Sequence, residues 1–476
     1  MNENIPDIFK AYDIRGLVDG ELSPDFAFAV GLAFARFLEI EREPSTVLIG
    51  EDMRPSSPEL AEAFSAGVTS NGTNVIRIGL ASTDLLYFAA GSKNLPGAMF
   101  TASHNPAAYN GIKLCLSGAR PIGKETGLQT IENFVRNGMP LAMRPVGIET
   151  NEDLLQAYTD HLHKLVSVKG NRPLKIVIDA GNGMAGFTAP AIFERLGADI
   201  IPLYFELDGN FPNHEANPID PTNLRDLQKA VLENKADIGL AFDGDADRCF
   251  LVDEKGETVD PSLLTALIAS RELVKHPGAT IIHSLISSRT VVEVINELGG
   301  NPVRSRVGHS YIKALMAETG AIFGGEHSGH FYFKDFWRAD SGALAALHAL
   351  AALGESEQTI SQLLTPFKRY VASGEVNSRV ADAAVVIKAI KEKYSALSEF
   401  KIDELDGLTA STATWWFNVR ASNTEPLLRL NVEADTAANM AAHRDELLAL
   451  INAQSLRLSR TELGIADTLA FWRGPA

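Results

Sequence analysis

A single serine, Ser103, lies in the polar segment TASHNP, directly after the apolar residues AMF. Neighbouring side chains of an extended loop point apart, so we expect Ser103 and His104 not to form a hydrolase-type pair of nucleophile and base. The sequence also lacks the G-x-S-x-G elbow of many such enzymes. A phosphorylated serine carries about −1.5 to −2 charges and can donate its phosphoryl group without that pair. The segment therefore favours Ser103 as the carrier of a phosphoryl group.

A second loop, DGDADR, follows an apolar strand and carries Asp243, Asp245 and Asp247. Alternate side chains of an extended loop share a face, so three carboxylates can converge on one hard cation. A calcium loop would need glycine where Arg248 stands, so Mg²⁺ fits better, and a solvated acidic turn is the alternative. A Mg²⁺ ion beside a phosphorylated Ser103 would neutralise its charge and polarise the leaving group.

A third loop, GGEHSGHFYF (324–333), carries Glu326, His327 and Ser328 between glycines. A carboxylate in such a cluster can accept two O–H bonds from adjacent hydroxyls of a sugar. By itself the segment is equally consistent with a plain polar turn. His330, on the outgoing strand, would in isolation be a satisfied structural histidine.

A fourth loop, NVRASNTEP, offers a guanidinium group, two hydroxyls, an amide and successive backbone N–H groups. These groups suit a phosphate dianion. The alternative is an ordinary turn with a surface arginine. The side chains concerned are Arg420, Ser422, Asn423 and Thr424.

Short β-rich runs alternate with helical patterns around these loops. Strand–turn–helix patterns begin near residues 45, 174 and 279, which indicates three related α/β units. Strand patterns and an amphipathic helix in the last hundred or so residues indicate a smaller α+β domain. The longest apolar run, ALAALHALAALG (343–354), is too short to span a bilayer and predicts a buried helix.

The overall composition is that of a globular protein of several domains. The chain has 476 residues, a formal net charge of −17 and two cysteines that lie far apart. The charge argues against nucleic acid or an anionic membrane as a partner. The cysteines favour a reducing setting, and the N-terminus lacks the pattern of a signal peptide, so we expect a cytoplasmic protein.

The four loops, in this order, resemble those of the α-D-phosphohexomutase superfamily, in its bacterial phosphomannomutase/phosphoglucomutase branch. TASHNP resembles the phosphoserine loop, DGDADR the metal loop, GEHSG the sugar loop and RASNTEP the phosphate loop. KAYDIRG (10–16) and DGNFPNHEANP (208–218) are also similar to that branch. The resemblance extends through nearly the whole chain.

The resemblance implies an α/β fold with four domains around a central cleft. Three would be similar mixed-sheet α/β domains, followed by the smaller C-terminal α+β domain. The expected domains are a phosphoserine-loop domain (1–150), a metal-loop domain (151–256), a sugar-loop domain (257–370) and a phosphate-binding domain (371–476).

The resemblance also implies one Mg²⁺ per chain and a hexose 1,6-bisphosphate that is both intermediate and activator. Phosphorylated Ser103 would phosphorylate the free hydroxyl of a hexose 6-phosphate or 1-phosphate. The bisphosphate would then turn round and return its other phosphate to Ser103. Small hexose phosphates are therefore the expected partners, and the protein is expected to be a monomer or homodimer.

Residue roles follow from the matched motifs. Ser103 and the three aspartates would hold the metal, and Arg248 would contact the phosphoserine. Glu326 and Ser328 would hold the 3- and 4-hydroxyls of the sugar, beside His327. The non-reacting phosphate would be bound by Arg420, Ser422, Asn423 and Thr424. Four more residues fall at matching positions, with Lys113 and His330 as candidates for proton transfer: Tyr12, Arg15, Lys113 and His330. His309, in VGHSYIK, is a candidate sugar contact.

One segment departs from the family pattern. Related phosphomannomutases tend to place a lysine or arginine just after the strand that here reads TIIHSLISSR. The corresponding stretch of this chain is SLISS, and its first basic residue is Arg289. Either Arg289 supplies that charge from a shifted register, or the charge is absent.

The predicted function is that of a phosphomannomutase interconverting mannose 6-phosphate and mannose 1-phosphate. The alternatives are a phosphoglucomutase or an enzyme of dual specificity, a non-catalytic sugar-phosphate-binding protein, and a phosphatase.

Overall fold

The computed structural model describes residues 7–139, 145–169, 172–421 and 427–462, with the backbone alone for His309 and for 454–462. The chain forms two compact units. The first contains Met1–Ser284, Val291–Arg304 and Gly308–Phe367, and the second contains Leu285–Thr290, Ser305–Val307 and Lys368–Ala476.

A mixed sheet forms the N-terminal part of the first unit. Its strands, within the described residues, are β1 (Ile14–Leu17), β2 (Thr46–Glu51), β3 (Asn74–Leu80), β4 (Gly97–Phe100), β5 (Tyr109–Leu116), β6 (Arg120–Pro121) and β7 (Glu149–Asn151). Their order is β1-β5-β4-β2-β3-β7, with β6 paired to β5. Strands β3, β2 and β4 are parallel, and β5 runs antiparallel to β4.

Two further sheets of the first unit repeat this arrangement. The second contains β8 (Lys175–Asp179), β9 (Asp199–Leu203), β10 (Ile238–Phe242), β11 (Cys249–Asp253) and β12 (Thr258–Val259). The third contains β13 (Thr280–Ser284), β14 (Asn301–Ser305), β15 (Phe323–Gly325), β16 (Phe331–Phe333) and β17 (Ala339–Asp340). Their orders are β12-β11-β10-β8-β9 and β14-β13-β15-β16-β17.

The shared strand order confirms the three related α/β units. In the first two sheets two consecutive parallel strands are followed by a strand that adds in parallel to the first of them, and the next strand returns antiparallel. In the third sheet β14 and β15 lie on either side of β13, β15 is parallel to β13, and β16 returns antiparallel. Strand β10 is buried at all five positions, as expected for a strand with parallel and antiparallel neighbours and helices over both faces.

Helices flank the strands of both units. Within the described residues they are α1 (Pro24–Ile40), α2 (Ser57–Ser70), α3 (Thr83–Lys93), α4 (Leu128–Asn137), α5 (Leu155–Leu165), α6 (Ala185–Phe193), α7 (Arg225–Asn234), α8 (Pro261–Lys275), α9 (Arg289–Glu297), α10 (His309–Thr319), α11 (Gly342–Gly354), α12 (Ile360–Leu363), α13 (Ala383–Ser395) and α14 (Ala437–Glu462). Every residue of α11 is buried, which confirms the prediction made from its apolar run. No described helix is long and apolar enough to cross a membrane.

The second unit contains an antiparallel sheet with α13 and α14. Its described strands are β18 (Val371–Arg379), β19 (Lys401–Asp403), β20 (Leu408–Ser411), β21 (Trp415–Ala421) and β22 (Leu427–Ala434), in the order β18-β22-β21-β20-β19. Aromatic residues of this sheet pack with Tyr394 of α13 in a separate core, with Phe417 at 4.8 Å between ring centroids. The smaller C-terminal α+β domain is thus confirmed.

Candidate functional site

Three of the four predicted loops occupy the same connection in three similar sheets. Ser103 lies between β4 and β5, Asp243–Arg248 between β10 and β11, and Glu326–His330 between β15 and β16. Each is the turn from the third parallel strand into its antiparallel neighbour. Equivalent edges of the three sheets therefore supply the polar side chains, and in the first unit these loops meet.

Ser103 lies beside the aspartate loop. Its Oγ donates a hydrogen bond of 2.8 Å to Asp243 Oδ2, and the residue is only 2% exposed. The approach needs a glycine at position 244, because a Cβ there would lie 2.4 Å from the Ser103 carbonyl oxygen. The pairing on which the phosphoserine hypothesis depends is therefore present.

The expectation that Ser103 and His104 point apart was wrong. Ser103 has a φ of 51°, in the left-handed region rather than the extended one, and its Oγ lies 3.3 Å from His104 Nδ1. Burial and then the neighbouring Arg248 hold the pKa of His104 well below its ordinary value, so the ring is neutral. The hydroxyl is nevertheless directed to Asp243 at the shorter distance.

The buried side chain of Arg54 holds the loop that contains Ser103. Its guanidinium nitrogens donate to four backbone carbonyl groups of the loop at 2.6–3.0 Å, namely those of Ser103, Asn105, Pro106 and Tyr109. It also pairs with Asp52, and both side chains are fully buried. Phe211 covers the guanidinium group at 5.1 Å from its ring centroid. The strained turn at Ser103 is thus fixed by one buried cation.

Asp243, Asp245 and Asp247 converge as predicted, although by a different backbone route. Each offers an oxygen within 4.8 Å of the others, and all three are buried. The loop is a turn rather than an extended segment, since Ala246 has a φ of 60° and its N–H bonds to the carbonyl oxygen of Asp243. Among the described residues, Asp245 Oδ1 and Asp247 Oδ1 have no hydrogen-bond partner. Buried carboxylate oxygens without donors fit a hard cation.

Two basic side chains partly balance these carboxylates. Lys113 Nζ donates to Asp245 Oδ2 at 2.6 Å and to Asp247 Oδ2 at 2.7 Å. Arg248 Nε lies 3.4 Å from Asp243 Oδ2. Burial acts to lower the pKa of Lys113, but Asp245 and Asp247 outweigh it and hold that pKa well above its ordinary value. Lys113 is therefore a fixed positive charge.

Two of these aspartates, Asp243 and Asp247, have pKa values that are shifted in opposite directions. Burial, then Asp247 and Asp245, raise the pKa of Asp243 well above its ordinary value. Burial also opposes ionisation of Asp247, but the neighbouring positive charge of Lys113 outweighs it, and the pKa of Asp247 lies well below the ordinary range. Without a cation, the site therefore favours a proton on Asp243, the partner of Ser103.

His330 connects the sugar-loop segment to this cluster. Arg248 Nε donates to His330 Nε2 at 3.2 Å, and the Ser328 hydroxyl lies 2.9 Å from Nδ1. Nε2 also lies 3.4 Å from Asp247 Oδ1. In this arrangement Nε2 accepts the hydrogen bond of Arg248, and Nδ1 faces the Ser328 hydroxyl.

Glu326 is held from two sides. Its Oε1 accepts from the Gly308 N–H at 2.9 Å and its Oε2 from the Tyr332 hydroxyl at 2.6 Å. Each oxygen retains a second lone pair, so the carboxylate can still accept a further donor. His327, in the same loop, lies 3.7 Å from Asp260 through Nδ1.

The N-terminal segment also reaches the Ser103 loop. Arg15 donates through Nη1 to Asn105 Oδ1 at 2.6 Å and is paired with Asp13 at 2.5 Å. Tyr12 packs edge-on against Tyr311 of α10, with ring centroids 6.1 Å apart. Arg15 is thereby brought to the loop that contains Ser103, while Tyr12 lies against the helix that begins at His309.

In the second unit, Arg420 pairs with Glu375 at 2.6 Å through Nη2. Its Nη1 is buried and has no partner among the described residues. Ser422, Asn423 and Thr424 lie outside the described residues, as does the side chain of His309.

Arg289 belongs to the second unit and is engaged there. Its Nη1 and Nη2 donate to the carbonyl oxygens of Ala413 and Thr412 at 2.6 and 2.9 Å, and its N–H donates to Glu433 Oε1. The guanidinium is therefore committed to backbone acceptors of its own unit.

Sequence reasoning missed two residues that shape the site, Arg54 and Thr83. Thr83 donates to Asp245 twice, from N–H to the carbonyl oxygen at 2.9 Å and from Oγ1 to Oδ2 at 2.6 Å. Arg54 follows Asp52 at the end of β2, and a charged pair at the carboxyl end of a buried strand was the available signal. Thr83 had no comparable signal.

Comparison with known proteins agrees with this arrangement. The chain matches the Phosphoglucomutase/phosphomannomutase alpha/beta/alpha domains I, II and III over residues 6–141, 156–256 and 260–370. It matches the C-terminal domain of the same family over residues 375–450. The chain belongs to the phosphoglucomutase/phosphomannomutase family.

Individual relatives indicate the class of reaction as well as the family. A phosphomannomutase of Salmonella typhimurium is 41% identical over 454 residues, which cover 93% of this chain and 98% of the relative. A phosphomannomutase of Escherichia coli K12 is 40% identical with the same coverage. A crystal structure of a family protein from Burkholderia thailandensis superposes with a TM-score of 0.86 at 33% identity, covering 94% of this chain and 97% of that one. These relatives indicate a mutase, an intramolecular phosphotransferase of the isomerase class.

Proposed function

We propose that this chain is a phosphomannomutase that interconverts mannose 6-phosphate and mannose 1-phosphate through phosphorylated Ser103 and a hexose 1,6-bisphosphate. The observation that carries the proposal is the 2.8 Å hydrogen bond from Ser103 Oγ to Asp243, within a cluster of three buried aspartates. The mannose assignment is supported by relatives about 40% identical over 93% of the chain that are named phosphomannomutase.

Asp243, Asp245 and Asp247 would hold one Mg²⁺ together with an oxygen on Ser103. The unpartnered oxygens of Asp245 and Asp247 support this fit. A solved N-acetylphosphoglucosamine mutase of Aspergillus fumigatus contains GlcNAc-6P and magnesium, and shares the fold at 15% identity with a TM-score of 0.59. When bound, the cation would neutralise charge on the transferring phosphoryl group and on the serine oxygen that leaves.

The chain's own residues would carry the rest of the transfer. The sugar hydroxyl oxygen forms a bond to phosphorus while the bond between phosphorus and Ser103 Oγ breaks. His330 Nε2, which accepts a hydrogen bond from Arg248, would take the hydroxyl proton. Lys113, held protonated by Asp245 and Asp247, would stabilise the charge on the phosphoryl oxygens rather than act as a base. This assigns different tasks to the two residues considered for proton transfer.

Substrate binding would be shared among the remaining loops. Glu326 and Ser328 would hold the 3- and 4-hydroxyls of the sugar, with His327 beside them. Tyr12 and His309 would line the same site. Arg15, which donates to Asn105 in the loop of Ser103, would belong to the catalytic group. The non-reacting phosphate would be bound by Arg420, Ser422, Asn423 and Thr424. The buried Arg420 Nη1, which has no partner in the described part of the chain, supports an anion there.

We assign the domains to 1–150, 151–256, 257–370 and 371–476, supported by the gaps between the matched family domains. We place the protein in the cytoplasm, supported by the buried free cysteines Cys115 and Cys249. We propose that it is a monomer or homodimer. Hexose 1,6-bisphosphate would be its activator, and a solved relative in complex with glucose 1,6-bisphosphate supports this chemistry.

Dual specificity is the second candidate. Relatives from Xanthomonas campestris that are 40% identical over 427 residues are named phosphohexose mutases. Mannose and glucose differ at C2, and the proposed contacts of Glu326 and Ser328 are to hydroxyls that both sugars share.

Steady-state turnover of mannose 1-phosphate and glucose 1-phosphate, with glucose 1,6-bisphosphate and Mg²⁺ present, tests the proposal. We expect a higher kcat/KM for mannose 1-phosphate, and no turnover of either sugar by Ser103→Ala. Equal kcat/KM values would establish dual specificity. Full activity of Ser103→Ala, or steady release of inorganic phosphate, would overturn the mutase assignment.

A further inference from the structure

A buried carboxylate outside the catalytic cluster joins three parts of the first unit. Asp84 Oδ2 accepts hydrogen bonds of 2.7 Å from the hydroxyls of Tyr158 and Ser341, and Oδ1 accepts one of 2.5 Å from Ser82. Ser82 precedes α3, Tyr158 lies on α5 and Ser341 precedes α11. All four residues are at most 1% exposed. One carboxylate thus connects the start of α3, the helix α5 and the segment between β17 and α11.

Two of the three donors are also helix caps. Ser82 Oγ accepts from the Leu85 N–H at the start of α3, and Ser341 Oγ accepts from the Leu344 N–H at the start of α11. A serine that caps a helix through its oxygen still has its O–H to donate, and both are directed to Asp84. The carboxylate therefore fixes the first turns of two helices relative to each other.

Both of these first turns contact the aspartate loop. Thr83, next to Asp84, binds Asp245 through its N–H and its hydroxyl. Gly342, next to Ser341, packs so closely that a Cβ there would lie 2.6 Å from the Arg248 carbonyl oxygen and 2.8 Å from that of Ala246. The two helix starts that Asp84 connects are thus the ones that flank residues 245–248.

Burial of the Asp84 carboxylate carries a cost in free energy. Burial raises the pKa of Asp84 to about 6, even though three hydroxyls donate to it. A polar group buried at such a cost is retained where its bonds set a geometry that apolar packing would leave loose. Nothing in the transfer chemistry described above uses Asp84 itself.

We propose that Asp84 is a positioning residue that, through Ser82, Ser341 and Thr83, holds the carboxylates of Asp245 and Asp247 in the arrangement that binds a divalent cation. The inference rests on the proposed function, since it concerns the same cation site. It assigns to Asp84 a role in cation affinity in addition to any role in stability.

Isothermal titration of the purified full-length chain with MgCl₂ tests this, at a temperature where circular dichroism shows every variant folded. We expect Asp84→Asn to weaken Mg²⁺ binding about tenfold. This is the lower end of the loss of metal affinity that follows mutation of a residue orienting the metal ligands. Tyr158→Phe removes one of the three donors and is expected to weaken binding about threefold, as a fraction of that loss. Thr159→Val, which removes a buried hydroxyl bonded only within α5, is the matched control and should bind as the wild type does.

The outcomes distinguish failure of the positioning role of Asp84 from failure of the proposed cation site. If the wild type binds Mg²⁺ but Asp84→Asn and Tyr158→Phe bind it equally well, the positioning role is overturned, even if both variants melt earlier. If Thr159→Val weakens binding as much as Tyr158→Phe, the effect is one of general packing and the proposal also falls. If the wild type itself binds no Mg²⁺, the cation assignment fails and the positioning role fails with it. If Asp84→Asn does not fold, Tyr158→Phe against Thr159→Val still decides the question.

Discussion

Replacing Arg54 by methionine is expected to lower both the free energy of unfolding, through the buried ion pair, and kcat, through the position of Ser103. The substitution removes the donors to four carbonyl groups of the Ser103 loop and leaves the Asp52 carboxylate buried without its cation. Loss of one partner of a buried ion pair costs about 3–5 kcal/mol, and we expect a loss of stability in this range. Ser103 would no longer be held in its left-handed turn, and misplacement by about 1 Å is expected to lower kcat about 100-fold.

The double variant Asp52→Asn/Arg54→Met makes the test sharper. Removing the buried negative charge should restore part of the stability, whereas the loop carbonyl groups still lack their donors, so kcat should stay low. Arg77→Met, which breaks the partly buried pair with Glu51 away from the Ser103 loop, is the matched control and should keep kcat. Chemical unfolding and steady-state kinetics measure the two effects. A kcat for Arg54→Met within threefold of the control would refute the reasoning.

Three further predictions concern charges. Lys113→Met should lower kcat about 100-fold while Mg²⁺ still binds, because the lost cation serves the transferring group; calorimetric loss of Mg²⁺ binding would contradict this. Arg420→Ala should raise KM about tenfold or more, as expected for a lost charge-assisted bond, and leave kcat nearly unchanged. The pKa of Asp84 is raised to about 6 from 3.8, so protonation of this carboxyl group stabilises the folded state. This contribution to stability is fully present below pH 3.8 and is lost as the pH rises through about 6. The wild type should therefore gain about 1 kcal/mol over Asp84→Asn between pH 7.5 and 5, seen as a changing difference in melting temperature; a constant difference would exclude it.

The sequence was sufficient for the parts of the fold that depend on local pattern. Apolar runs followed by helix-start signals located β2, β8 and β13 with their following helices. The fully apolar α11 was recognised as buried because no side of it carries charge. These features depend on periodicity, which a single chain displays directly.

Side-chain geometry within the loops was harder to predict. The aspartates converge, as expected, but through a turn at Ala246, and the orientation of His104 was wrong because Ser103 adopts a positive φ. Neither residue is glycine, so the sequence carried no sign of the left-handed conformation.

The long-range contacts of Arg54 and Asp84 could not be predicted from the sequence. Arg54 and Ser103 are 49 positions apart, and Asp84 and Ser341 are 257 apart. Such pairs are set by how the sheets pack together, and an isolated polar residue in one segment does not identify its partner in another.

The most direct measurement for the central claim is the intact mass of the purified chain before and after incubation with glucose 1,6-bisphosphate and Mg²⁺, with peptide mapping of the modified site. A phosphoryl carrier at Ser103 predicts the gain of one phosphate, located on Ser103 and absent from Ser103→Ala. It also predicts that excess mannose 1-phosphate removes this phosphate from the protein without releasing inorganic phosphate. A chain that gains no phosphate under these conditions, or gains it at another residue, would contradict the account.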